Sequence, residues 1–177
     1  MFPSMDSSPT PFDSDAPLGS RRAIIRRNPE DMQEIEMVEA AWGSNPRFSG
    51  GVDYRFVRSE GRTFPSHRCL VAASEFHIRD GDKQFRVTLD SGNFFYLAAI
   101  HEPEMAGWPL CYRIVTVDAN PEVAQHQTRH GAIIHRRQVM HWLDRTIPEI
   151  DLLVTPPAHT FAIEEVNPAP RQETLAL

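Results

Sequence analysis

Lysine is nearly absent from this chain. Of its 18 basic residues, 17 are arginine, and Lys83 is the one exception. The formal net charge is −6, which excludes a protein that coats nucleic acid by bulk attraction. Cysteine is equally scarce. Cys69 and Cys111 stand in apolar strand-like runs, with no second cysteine at metal-ligand spacing. They read as buried reduced thiols rather than as a disulfide. No apolar run reaches the length of a membrane span. The opening MFPSMDSSPTPFDSDAP has neither the basic start nor the apolar centre of a signal peptide, so a cytoplasmic location is expected. A nucleophile elbow and a glycine-rich phosphate loop are both missing, and no cofactor is expected.

What is there suits one soluble domain: 177 residues, 41% hydrophobic and 24% charged. Residues 1–20 are rich in Pro, Ser and Asp and read as a disordered arm. Residues 21–167 form the expected single domain, and 168–177 a flexible tail. Charge is uneven along the domain. Acids gather in PEDMQEIEMVE, whereas eight basic side chains face five acidic ones between Arg47 and Arg86. A local basic face and an ordinary mixed surface both fit that pattern.

Most segments of the domain read as strands. RAIIRR, the turn NPED and QEIEMVEAAW predict a hairpin. VDYRFVR is a further strand. RCLVAASEFHI, QFRVTL and FFYLAAI, joined by the turns RDGDK and DSGN, predict an antiparallel meander of three consecutive strands over Arg68–Ile100. LCYRIVTV, GAII and HTFAIEEV complete the strands. Asn120 before Pro121 caps a short helix, and RRQVMHWLDR carries a helical apolar spacing. The class is α+β, mostly antiparallel sheet with short peripheral helices.

HQTRH sets His126 and His130 four apart, a spacing used by zinc sites on helices. Gln127 stands where a metalloprotease needs its glutamate, Gly131 ends any helix, and no third ligand is evident, so no metal is expected. The DGDK segment is explained by a hairpin turn. Trp42 is either a base-stacking platform or a core tryptophan. Arg58 and Arg68 either grip phosphates or are ordinary strand-end arginines.

Taken in order, AAWG, VRSE, HRCLVAASEF, the hairpin through FFYLAAI, YRIVTVDAN, TRHGAII and HWLD resemble the SOS-response-associated peptidase (SRAP) domain, the abasic-site processing proteins. The resemblance covers roughly Arg22 to Val166 and implies a compact, barrel-like and mostly antiparallel sheet. It also implies a DNA-repair role, in which single-stranded DNA is bound and the aldehyde of an abasic site is captured by an N-terminal cysteine. A glutamate and a histidine assist proton transfer, and an asparagine and an arginine hold DNA. The same cysteine is proposed to allow self-processing, hence the peptidase label.

Position by position, the arginines at Arg58, Arg68 and Arg129 are kept. The asparagine place holds Phe56, the glutamate place Ile78 and the histidine place Gln127. Residue 2 is Phe2 rather than cysteine, and the first strand and helix of the family are expected ahead of Met1. Arg58, Arg68 and Arg129, with Trp42, are therefore the expected DNA-binding residues, and Arg58 and Arg68 are expected close together on one exposed concave face with Arg129 nearby. No catalytic residue is assigned, and single-stranded DNA is the expected partner. Two further readings stand beside this one: a protein-interaction module on the same fold, and a hydrolase with relocated groups at Glu75 and His126.

Overall fold

The computed structural model describes residues 9–48 and 54–166. Strand β1 (Arg21–Asn28) and strand β2 (Asp31–Trp42) form the expected hairpin, with Ile24 opposite Val38. Next along the chain come β3 (Phe56–Arg58), β4 (Arg68–Ala73), β5 (Phe76–Asp80), β6 (Lys83–Leu89), β7 (Phe95–Glu102) and β8 (Cys111–Asp118). Helix α1 (Pro121–Ala124), β9 (Arg129–Gly131), β10 (Ile133–Ile134), α2 (Val139–Asp144), α3 (Glu149–Leu152) and β11 (Phe161–Glu165) complete the order. Residues 52 and 53 of the expected strand VDYRFVR lie outside the described residues.

The sheet is mixed. Strands β7, β4, β1, β2 and β8 pair in that order, and β7 also pairs with β8, so these five close into a ring. Strands β3 and β9 extend from β8, and β10 from β7. The β2–β8 and β3–β8 pairings are parallel, and the others in the ring are antiparallel. The closure removes most of the unpaired backbone edge that an open sheet would present.

Successive side chains on a strand point to opposite faces, and here both faces are covered. Ile24, Cys69, Val71, Leu97, Tyr112 and Ile114 face one core. Their neighbours Ile25, Leu70, Tyr96, Ala98 and Val115 face a second core, which Val139, Trp142 and Leu152 of α2 and α3 close. This is why CLVAA and FYLAAI are continuously apolar rather than alternating.

The expected meander is corrected. RCLVAASEFHI is two strands, broken at Ser74 and Glu75. There the Ser74 N–H donates to the Thr10 carbonyl (3.2 Å), and the Glu75 carbonyl accepts from the Phe12 N–H (2.8 Å). With those groups taken by the N-terminal segment, the chain leaves the ring. Strand β4 pairs with β7, whereas β5 and β6 form a hairpin that joins β11 in a separate three-stranded sheet. The second half of the expected arm over 1–20 packs against the domain. Phe12 is 5% exposed and packs edge-on against Trp42, and Arg22 donates to the carbonyls of Thr10 and Pro11. Residues 1–8 and 168–177 lie outside the described residues.

Candidate nucleic-acid interface

A cavity of about 550 Å³ opens where β3, β5, β8 and β9 meet the N-terminal segment. Phe12, Phe56 and Phe76 give it an aromatic side, and Arg58, Arg62, Arg113 and Arg129 give it a cationic one. Among the described residues no aspartate or glutamate lines it. The alternation of β3 places Phe56 and Arg58 on the same side of that strand. Phe56 and Gln127, which stand at the resembled family's asparagine and histidine places, both line this cavity, as do Arg58 and Arg129. Ile78, at the glutamate place, is 3% exposed in the first core and does not line this cavity.

The structure does not bring the four expected DNA-binding side chains together on one exposed face. Arg58 is exposed on the cavity wall. Arg68 is buried, its side chain 3% exposed. It donates to the carbonyls of Phe64 (2.8 Å) and Trp142 (3.0 Å), pairs with Glu149 (2.6 Å), and lies 4.5 Å from the Trp142 ring centre. It ties the loop before β4 to α2 and α3, and its burial keeps it from a phosphate in solution. Arg129 reaches the cavity, but its fork is filled. Nε donates to the Thr116 hydroxyl, Nη1 to Asp118, and Nη2 to both Glu60 and the Thr116 carbonyl. The same guanidinium holds the Glu60 carboxyl below its usual range by hydrogen bonding. Trp42 is 1% exposed, enclosed by Phe12, Phe56 and Tyr112, and its Nε1–H donates to the Ser14 carbonyl. It is a core residue, because no face of the indole is left for a base.

Arg62 and Arg113 join the cationic wall without having been singled out in the sequence. Arg113 pairs with Glu102 through Nη2 (3.0 Å), and its Nε is buried without a hydrogen-bond partner. The arginine-rich run from Arg47 to Arg86 was the available signal for Arg62, but nothing local distinguished it from Arg55.

The two histidines of HQTRH lie in different settings. His126 and His130 share no helix: α1 ends at Ala124, and His130 lies in β9. His130 Nδ1 donates to the Gly131 carbonyl (2.8 Å), so Nε2 accepts from the Asn120 N–H (3.3 Å). Burial holds this imidazole below its usual range, in its neutral form. His126 pairs with Asp80 and lies over Phe85. Among the described residues no cluster of three or more His, Cys, Asp or Glu could hold a metal ion. Glu75 and His126 do not meet as a relocated pair. Glu75 instead bonds His77 Nε2 (2.6 Å) and Arg86 Nε (3.0 Å), and His77 lines the cavity. Cys69 and Cys111 are 0% and 2% exposed. Burial pushes both thiols up, Cys111 to about 11.

Comparison with known proteins agrees with this architecture. A structure from Bordetella bronchiseptica superposes with a TM-score of 0.67 at 19% identity, covering 89% of this chain and 90% of that one. One from Bacteroides thetaiotaomicron gives 0.63 at 17%, covering 84% and 75%. At these identities the likeness is one of fold. No curated protein matches the sequence. The family model described as SOS response associated peptidase (SRAP) matches residues 13–170, nearly the whole described structure, and the chain belongs to that family.

Proposed function

We propose that this SOS-response-associated protein binds single-stranded DNA non-covalently through the arginine-lined cavity, as a cytoplasmic member of its family that does not capture abasic sites. The carrying observation is a coincidence of chemistry and place. The cavity with cations and no described carboxylate in its lining is also where Phe56, Arg58, Gln127 and Arg129 gather. Arginine forks suit phosphate oxygens, and Arg58 and Arg62 are exposed to meet them. Covalent capture is set against this reading by the buried thiols and by the replacement of the family's proton-transfer groups with Ile78 and Gln127.

The test is fluorescence anisotropy with a labelled single-stranded oligonucleotide over a range of salt. Affinity falls steeply as salt rises, and Arg58→Ala or Arg62→Ala weakens binding and lowers the salt slope by about 1 each. Binding that ignores salt and both substitutions would favour a protein-interaction role for this fold.

A further inference from the structure

Resting on the DNA reading above, we infer that the cavity takes an intact, flipped-out nucleotide and that it binds the base as well as the phosphate. A site made only for phosphate and sugar needs cations and polar groups. This one has them in Arg58 and Arg62, but its other side is built from Phe12, Phe56 and Phe76. Phe56 is the partly exposed member of that wall, and its ring is held edge-on against Trp42 at 5.6 Å between centres. A rigidly held ring beside a cationic rim is a stacking platform, and stacking on any base is tolerant of sequence. Gln127 adds a polar reader. Its Nε2 donates to the Arg129 carbonyl (2.7 Å), which fixes the amide and leaves its oxygen to accept from a base N–H.

Shape argues the same way. The N-terminal segment walls one side, pinned where Arg22 grips the Thr10 and Pro11 carbonyls. A volume of about 550 Å³ is in the range of small-ligand pockets and suits one nucleotide rather than a strand running through. An abasic residue in this cavity would leave the aromatic wall wet. The change from asparagine to Phe56 thus turns the preference of the site toward a nucleotide that has kept its base.

The experiment compares two single strands of roughly 12 residues with identical phosphates. One is oligothymidylate; the other carries a tetrahydrofuran abasic analogue at every position. The protein binds oligothymidylate about tenfold more tightly. Phe56→Leu keeps the apolar contact with Trp42 but removes the ring, so it brings the two affinities together by weakening oligothymidylate alone. Arg58→Ala weakens both strands by the same factor. Equal binding of both strands by the wild-type protein, or tighter binding of the abasic strand, overturns the inference while leaving DNA binding intact. Binding of neither strand overturns both. A preference that survives in a folded Phe56→Leu protein overturns the platform. Should that variant unfold, the wild-type comparison still decides the preference.

Discussion

Arg68 shows how far one side chain can move from its sequence reading. It opens a strand in the basic stretch, as Arg58 ends one, yet its guanidinium is enclosed by Phe64, Trp142 and Glu149. Removing one partner of a buried pair leaves the remaining groups uncompensated. Arg68→Ala is expected to cost about 3 kcal/mol of stability in urea denaturation, with no change in the salt slope of DNA binding in the folded fraction. His101 supplies a pH signature. It is 8% exposed, and burial, with Arg26 and His67 nearby, lowers its pKa from 6.5 to about 4. The unfolded chain therefore binds its proton first. The stabilising contribution is complete above pH 6.5 and is lost as pH falls from 6.5 toward 4. With incomplete burial the loss is on the order of 2 kcal/mol. His101→Gln should flatten that part of the curve. Glu149, whose carboxyl is lowered first by the Phe64 N–H bond and also by Arg68, contributes above its usual range and fades only at more acid pH.

At the scale of elements, Gly131 of β9 packs tightly against β7 and β8. A Cβ there would sit 2.9 Å from Leu97 Cδ2 and 3.0 Å from Ile114 Cγ2, both side chains of the first core. Gly131→Ala is expected to cost about 1–3 kcal/mol by overpacking. All three residues line the cavity, so the substitution should weaken DNA binding by more than its effect on the folded fraction, as read by anisotropy below the melting temperature. The helices are short and stand by caps and packing rather than by propensity. Asn120 illustrates this for α1: its Oδ1 accepts from the Val123 N–H, and its amide donates to Glu122 and the Pro157 carbonyl. That cap was legible as Asn-Pro in the sequence. Its hold on the loop before β11 was not, since Pro157 is far along the chain.

For the whole molecule, the net charge of −6 and a cationic cavity coexist because the arginines are gathered rather than numerous. Among the described residues no helix is long and apolar enough to cross a membrane. Closing a stable ring on an abasic aldehyde needs an amine and a thiol on one N-terminal residue. Cys69 and Cys111 are buried in β4 and β8, with their amines in peptide bonds. The 177-residue chain is expected to give no heat-stable adduct with abasic single-stranded DNA on a denaturing gel. It should also resist a thiol reagent when folded and react at both cysteines once unfolded. A shifted band, or rapid labelling of the native protein, would contradict this.

The sequence by itself determined the local geometry. The β1–β2 hairpin, the Asp/Gly turn between β5 and β6, the Asn120 cap and the order of segments that marks the family all depend on neighbours a few residues apart. So does the presence of Phe56, Ile78 and Gln127 at the places where the resemblance implies an asparagine, a glutamate and a histidine. The tertiary structure alone decided which arginines are free. Arg68 is spent on a glutamate 81 residues away, and Arg129 on one 69 residues away, while Arg58 stays exposed on the cavity wall. It also decided that β4 pairs with β7 rather than with the next strand. Both outcomes have one cause. Exposure and pairing follow from long-range packing of two apolar cores, and a local pattern cannot specify which distant group will take a donor or an edge.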